Sequence, residues 1–307
     1  MNAARPLALG VTGLTVKFDG VTVLREVSFS VPAGTTAALV GPSGAGKSLV
    51  TQVLLGQLKP SSGTASVGGP GSGVRGNRPV GAMLQPHGLQ PGRTVRGQLL
   101  VYAAAAGVPD AEVDGILALT RLDSVAGSKI QKLPPNMTTR LALAIALLGD
   151  PPLLILDDPL TGLDGPERAW LLDRLRGHAR RGGTTLLTSQ SLSAVLAVAD
   201  NLVVLSAGSV VYQGSPRSLR RSHPDRLVVA ASSPIALATM LAADGFTDAV
   251  MRSDGRLAIA EAGRAEIEAA AGRARVRLTE MIPEPVHPDR VLTALTRTAP
   301  TPYGMPQ

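Results

Sequence analysis

The chain has 307 residues and no cysteine. That excludes a disulfide framework and a thiolate metal site. Aromatic residues make up only 2%, too few for the stacking platforms of single-stranded nucleic-acid binders. No nucleic-acid partner is expected. The four histidines (His87, His178, His223 and His287) lack the spacing of metal ligands. No apolar run is long. The longest, Leu141 to Leu148, falls far short of the about 18 residues a membrane span needs. The N-terminal segment MNAARPLALG holds too short an apolar stretch for a signal peptide. A soluble, cytoplasmic protein is expected, with any membrane role supplied by a partner.

What the chain does have is length for one large domain and a smaller one, and a net charge of +7 carried mostly by arginine. Arginines cluster at Arg174, Arg176, Arg180 and Arg181, and again at Arg217, Arg220 and Arg221. They read first as solvated helix faces. Attraction to acidic headgroups or to an acidic loop of a partner is the other reading.

The strongest motif is Gly41-Pro42-Ser43-Gly44-Ala45-Gly46-Lys47-Ser48, a full G-x-x-x-x-G-K-[ST] phosphate loop. It follows an apolar run, Thr36 to Val40, that suits a buried strand, and it precedes a helical pattern from Leu49 to Leu55. Strand, glycine loop and helix are the context in which this motif is a site. The glycines let backbone N–H groups turn toward phosphate oxygens, and the helix N-terminus adds positive potential. Lys47 is expected to reach the β- and γ-phosphates, and Ser48 to ligate Mg²⁺.

Along the chain, Leu14–Phe18, Asp19-Gly20 and Val21–Leu24 with Val27–Phe29 read as a hairpin. Residues 60–76, rich in Gly, Pro and Ser, read as turns and short strands. Helical patterns cover about 94–126 and 137–148, the second apolar nearly all round and hence buried. Then strands at 153–156, 184–188 and 202–205 alternate with helices at 166–181 and 192–199. This alternation predicts a parallel α/β sheet with ligands at the strands' C-terminal ends. Gly214-Ser215-Pro216 marks a boundary. Beyond it, strands at 227–231, 257–260 and 275–279 and helices at 234–243, 262–271 and 288–296 predict a small α+β domain, with a split βαβ arrangement one option. Three segments result: 1–215, 216–298, and a loose Pro-rich tail, 299–307.

The order of motifs in the first 215 residues resembles the nucleotide-binding domain of ABC transporters. Phe18 stands where that family stacks an aromatic on adenine. Gly41 to Ser48 matches its Walker A, and Gln85 the glutamine of its Q-loop. Leu133-Pro134-Pro135-Asn136-Met137 falls at the signature LSGGQ. Leu153 to Asp158 matches Walker B, with Asp157 as the Mg²⁺-linked carboxylate. Gly162-Leu163-Asp164 matches the D-loop, and Gln190 takes the place of the switch histidine. The run from Arg277 to Thr296 looks like the tail module of drug-exporter-type subunits. The resemblance implies a P-loop NTPase of ABC type with an N-terminal antiparallel β subdomain and a helical subdomain. It implies ATP and Mg²⁺ as cofactors, with Ser48, Gln85 and Asp157 at the metal and Asp158, Gln190 and Gln85 at the chemistry. The nucleotide would also touch Asp164. The partners implied are transmembrane permease subunits, docked after Gln85 (for example at 98–106), and a second nucleotide-binding subunit, identical or not. The site would be peripheral, on the inner face of the cell membrane.

Three positions depart from the family. Asp158 replaces a glutamate and is one methylene shorter, and a displacement of about 1 Å in a catalytic group can cost about 100-fold in rate. Gln190 can donate a hydrogen bond but cannot carry charge or a proton. Pro134 lacks the signature serine's hydroxyl, and Pro134 and Pro135 have no N–H to offer a phosphate. Asn136 is expected to cap the helix that follows. In no pairing, with itself or with a consensus partner, does the chain form a site with every consensus group. A subunit coupling ATP binding and slow hydrolysis to transport, as an exporter, is expected. A pseudo-ATPase that gates or stabilises the complex is the alternative. A soluble ABC protein acting on ribosomes or DNA is disfavoured by the single Walker A and the lack of sustained heptads.

Overall fold

A computed structural model describes residues 6–68 and 80–297. β1 (Leu7–Phe18) and β2 (Val21–Pro32) pair antiparallel. Asp19 and Gly20 join them at φ 48° and 81°, the positive-φ pair whose twist matches the strands of a hairpin. Next come β3 (Thr36–Val40), α1 (Lys47–Leu54) and β4 (Ser62–Val67). β4 adds to β1, giving a three-stranded antiparallel sheet in the order β2-β1-β4. Of the stretch expected as turns and short strands, residues 69–76 lie outside the described residues, as does the tail from 299.

β5 (Val80–Met83) is followed by α2 (Val95–Ala106), α3 (Ala111–Leu119) and α4 (Pro135–Leu147). The helical region expected over 94–126 is therefore two helices and a short 3₁₀ turn at Asp123–Val125. Gly107, at φ 68°, ends α2, as glycine in the left-handed region commonly does. α4 starts two residues earlier than expected, because Pro135 fits its first turn, where no N–H is needed. Leu99, Val113, Leu117, Leu141 and Ala144 form the core of this helical layer.

β6 (Leu153–Leu156), α5 (Gly165–Arg180), β7 (Thr184–Ser189), α6 (Leu192–Val195), β8 (Asn201–Ser206) and β9 (Ser209–Gly214) follow. The main sheet has the order β5-β6-β7-β3-β8-β9. It is parallel except for β9, which runs antiparallel to β8. The sequence patterns missed β9, an edge strand of half-exposed residues with no long apolar run. The helix expected over 192–199 is half as long. A turn follows at 196–198, with the Val198 and Ala199 N–H groups donating to the Val195 carbonyl, and Asp200 then exchanges bonds with Thr36 (2.8 Å each way).

The described residues cluster into two compact units, one up to Pro216 and again from Leu292, the other Arg217–Val291. Residues from Leu292 therefore group with the first unit rather than with 217–291. Within that first unit, Ser206 Oγ donates to the Thr296 carbonyl at 3.2 Å. After α7 (Pro216–Ser222) the elements are β10 (Arg226–Ala231), α8 (Pro234–Ala243), β11 (Ala249–Met251), β12 (Leu257–Ala260), α9 (Arg264–Ala274), β13 (Leu278–Glu284) and α10 (Pro288–Arg297). The sheet order β11-β12-β10-β13 is antiparallel throughout. With the chain order β-α-β-β-α-β it is a split βαβ arrangement. The strand expected over 275–279 instead begins at Leu278, because Arg275 sits at φ 53° as the cap of α9. Val229, Leu237, Leu241, Ile259 and Ile267 fill the core of this unit. Among the described residues, no helix is long and apolar enough to cross a membrane.

Candidate functional site

The phosphate loop leaves the C-terminal end of β3, the fully buried strand beside β7 and β8 at the middle of the sheet. Gly41 passes so close to β8 that a Cβ there would lie 2.2 Å from the Leu205 carbonyl oxygen, and no other residue fits. Gly46, at φ 98°, turns the chain into α1. Lys47, 7% exposed, donates to the carbonyls of Gly41 and Pro42, both at 2.8 Å. Burial lowers its pKa, while the fields of Asp158 and Asp157 oppose the shift. An ammonium has three donors. Two hold the loop, and Lys47 has no ion pair within 4 Å among the described residues. A buried cation with a spare donor and no salt bridge calls for an anion, and a phosphate group fits that need.

Strand β6 delivers the carboxylates. The Asp157 N–H donates to the Met83 carbonyl at 2.7 Å, which ties the end of β6 to β5 just before Gln85. The Asp157 side chain is 2% exposed and accepts from the Thr188 hydroxyl at 2.6 Å. Asp158 adopts φ 49°, and its N–H donates to the same hydroxyl at 2.9 Å. Gln190 Nε2 stands 3.5 Å from Asp158 Oδ2.

These groups line one cleft of about 450 Å³, walled by Ser43, Gly44, Gly46, Lys47, Ser48, Gln85, Asp157, Asp158 and Gln190. Val23, Leu49 and Thr188 complete it, and sequence reasoning did not single them out. The strand pattern around Thr188 carries the signal that could have found it, a hydroxyl residue in register beside Walker B. A larger cavity, about 570 Å³, opens between α3, α4, β6 and α5 near His178, but none of these convergent polar groups lines it. Convergent polar groups, not size, mark the site. Among the described residues no cluster of three or more His, Asp or Glu could cage a metal. A hydroxyl, an amide and one or two carboxylates beside a phosphate-binding loop are still a suitable donor set for Mg²⁺, which keeps waters and phosphate oxygens as its other ligands.

Four expected groups lie outside this cleft. Phe18 ends β1 and is 44% exposed. Gly41, Pro42 and Ala45 shape the loop from behind. Asp164 caps α5, its carboxylate accepting from the Glu167 N–H at 2.8 Å while Glu167 accepts from the Asp164 N–H at 3.0 Å. The 133–137 segment is also remote from it. Pro134, not Asn136, is the N-cap of α4, and it offers no side-chain bond. Proline's fixed φ suits that place, which displaces Asn136 into the first turn. Asn136 instead donates to Glu167 at 2.8 Å, and Arg140 donates to the same oxygen at 2.6 Å. Sequence reasoning missed this network. Glu167 thereby joins the signature-position segment to the D-loop.

Comparison with known proteins agrees with this geometry. The profile of the family described as ABC transporter matches residues 24–161. The chain is 37% identical over 221 residues to Nod factor export ATP-binding protein I of Rhizobium johnstonii, covering 70% of this chain and 71% of that protein. It is 36% identical over 223 residues to the protein of the same name from a Bradyrhizobium species, covering 71% and 73%. A solved structure described as an ATP-binding subunit of an ABC transporter superposes with TM-score 0.63 at 28% identity, covering 70% of this chain and 93% of that one. With its phosphate loop, paired carboxylates and sheet order in place, this chain belongs to the ATP-binding subunits of ABC transporters.

Proposed function

We propose that the chain is the ATP-binding subunit of an exporter, and that it couples Mg-ATP binding and slow hydrolysis to the movement of separate membrane permease subunits. The similarity to export proteins supports the direction of transport. The observation that carries the reading is the cleft in which Lys47, Ser48, Gln85, Asp157, Asp158 and Gln190 meet. Lys47 takes the β- and γ-phosphates, and backbone N–H groups of 43–48 surround them. Ser48, Asp157 and Gln85 would hold Mg²⁺, which would supply charge neutralisation at the phosphate oxygens. Asp158 accepts the proton of the attacking water, and Gln190 orients the γ-phosphate by a neutral hydrogen bond. Phe18 packs on the base. Asp164 lies toward the second nucleotide-binding subunit, a copy or a homologue, and the assembly sits at the inner face of the membrane.

Slow turnover follows from the chemistry of three positions. Asp158 is short, Gln190 is uncharged, and Pro134 and Pro135 have no hydroxyl or N–H for the phosphate of a partner's site. The test is ATP turnover by the complex captured from membranes through a tag on this chain, beside Asp158→Ala. Turnover that is slow and falls with the substitution is expected. Turnover at the rate of a consensus transporter would overturn the proposed slowness. Turnover unaffected by Asp158→Ala would assign hydrolysis to the partner subunit.

A further inference from the structure

β7 lies between β6 and β3, and all six of its residues are buried. Strands covered on both faces are normally apolar. A hydroxyl there is unfavourable unless it is hydrogen-bonded. Two nearby threonines bear that cost, since the hydroxyls of Thr36 and Thr185 are buried without a partner among the described residues. Thr188 differs. The parallel register pairs Leu156 with Leu187, so the next residues along each strand, Asp157 and Thr188, come side by side. The Thr188 hydroxyl, fully buried, donates its one proton to Asp157 Oδ1 at 2.6 Å and accepts the Asp158 N–H at 2.9 Å.

We infer that Thr188 is a positioning residue, whose single hydroxyl orients the metal-linked carboxylate of Asp157 and pins the backbone of Asp158. This inference rests on the Mg-ATP reading above. The donated bond occupies Oδ1 of Asp157 and leaves Oδ2 without a protein partner among the described residues. The accepted bond anchors the N–H of Asp158, which sits at φ 49°, a left-handed region that Asp tolerates better than most residues. One side chain thus sets both the group at the metal and the group at the water. Partners of this kind, one step behind a metal ligand, typically govern metal affinity by about 10–100-fold.

The experiment uses the full chain in excess over a non-hydrolysable ATP analogue. Mn²⁺ stands in for Mg²⁺, and its binding is read from loss of the free-ion paramagnetic resonance signal. Nucleotide binding in EDTA is measured alongside by calorimetry. In T188V, which keeps shape and loses the hydroxyl, Mn²⁺ affinity of the nucleotide complex should fall about 10–100-fold. Nucleotide affinity in EDTA should hold, because Lys47 and the loop are untouched. T188S, which restores the hydroxyl, should recover most of the Mn²⁺ affinity. If T188V does not fold, T188A is read in its place. Unchanged Mn²⁺ affinity in the folded variant overturns the inference, and so does a T188S as weak as T188V. If the unmodified chain binds no nucleotide, the Mg-ATP reading itself fails and the inference falls with it, a result distinct from the first two.

Discussion

In the proposed function, nucleotide binding turns on Lys47. It is buried, holds two loop carbonyls and lacks a direct ion pair, so only the fields of Asp158 and Asp157 offset its burial until an anion arrives. Removing it should weaken ATP binding by about 10–100-fold, the equivalent of one hydrogen bond to a charged group at about 1.5–3 kcal/mol. Calorimetry with Lys47→Met checks this. The same variant should melt no lower than the parent chain without nucleotide, because a buried charge without a salt bridge is replaced by an apolar side chain of similar length. At Asp158 the expectation runs the other way. Asp158→Glu restores the missing methylene, and since about 1 Å of misplacement can cost about 100-fold, hydrolysis should rise, most clearly together with Gln190→His. A steady-state ATPase assay on the assembled complex reads it.

At the scale of elements, the short strands matter less for what they bury than for where they stop. β3, β6 and β7 are parallel neighbours, so their C-terminal ends bring the phosphate loop, the two carboxylates and Gln190 to one edge. Within the same unit, Glu167 ties α4 to α5. It accepts from Asn136 and Arg140 on one oxygen and from the Asp164 N–H on the other. Arg140 also lies 6.0 Å from the ring centroid of Trp170, the only tryptophan in the chain. Breaking a buried pair strands its partner, so Glu167→Ala should lower unfolding stability by about 3 kcal/mol. Trp170 fluorescence should report the loosening of the α4–α5 contact before global unfolding. An unchanged denaturant midpoint would show that the pair contributes little.

For the whole molecule, the buried titratable groups predict acid sensitivity in two windows. Burial lowers the pKa of His178, reinforced by Arg181, although Asp150 and the Thr184 backbone act in the opposite sense. The unfolded chain then binds a proton that the folded one refuses, so stability is complete above the ordinary histidine range, about 6.5, and declines as pH falls below it. Burial would raise the pKa of Glu167, but the Asp164 N–H, Asn136 and Arg140 together outweigh it and hold the carboxyl below the ordinary glutamate range. Its contribution is present above about pH 4.5 and is lost as pH drops through the folded value. Melting temperature against pH should show both declines. His178→Gln should flatten the first, and Glu167→Gln the second.

Much of this was readable along the chain because the information is local. The glycine loop needs its own spacing, Asp-Gly makes its own turn, and apolar runs of four to six residues next to helical patterns place parallel strands without reference to anything distant. The same locality let Gly41 to Ser48 be named from sequence, whereas Asp157, Asp158 and Gln190 were named through the family resemblance of the motif order. What local pattern could not decide depends on neighbours far away in the chain. The chain after α6 is fixed beside β3 because Asp200 is claimed by Thr36, 164 residues away. Asn136 is not a cap because Pro134 takes the place and Glu167, 31 residues on, takes its amide. Thr188 gains its meaning only when parallel pairing sets it beside Asp157. Composition and spacing determined that this chain carries a phosphate-loop motif between a buried strand and a helix. Tertiary structure decided which buried hydroxyl holds the carboxylate beside that loop and which guanidinium joins α4 to α5, because hydrogen bonds between strands and helices form only after the fold has brought them within 3 Å or so of each other.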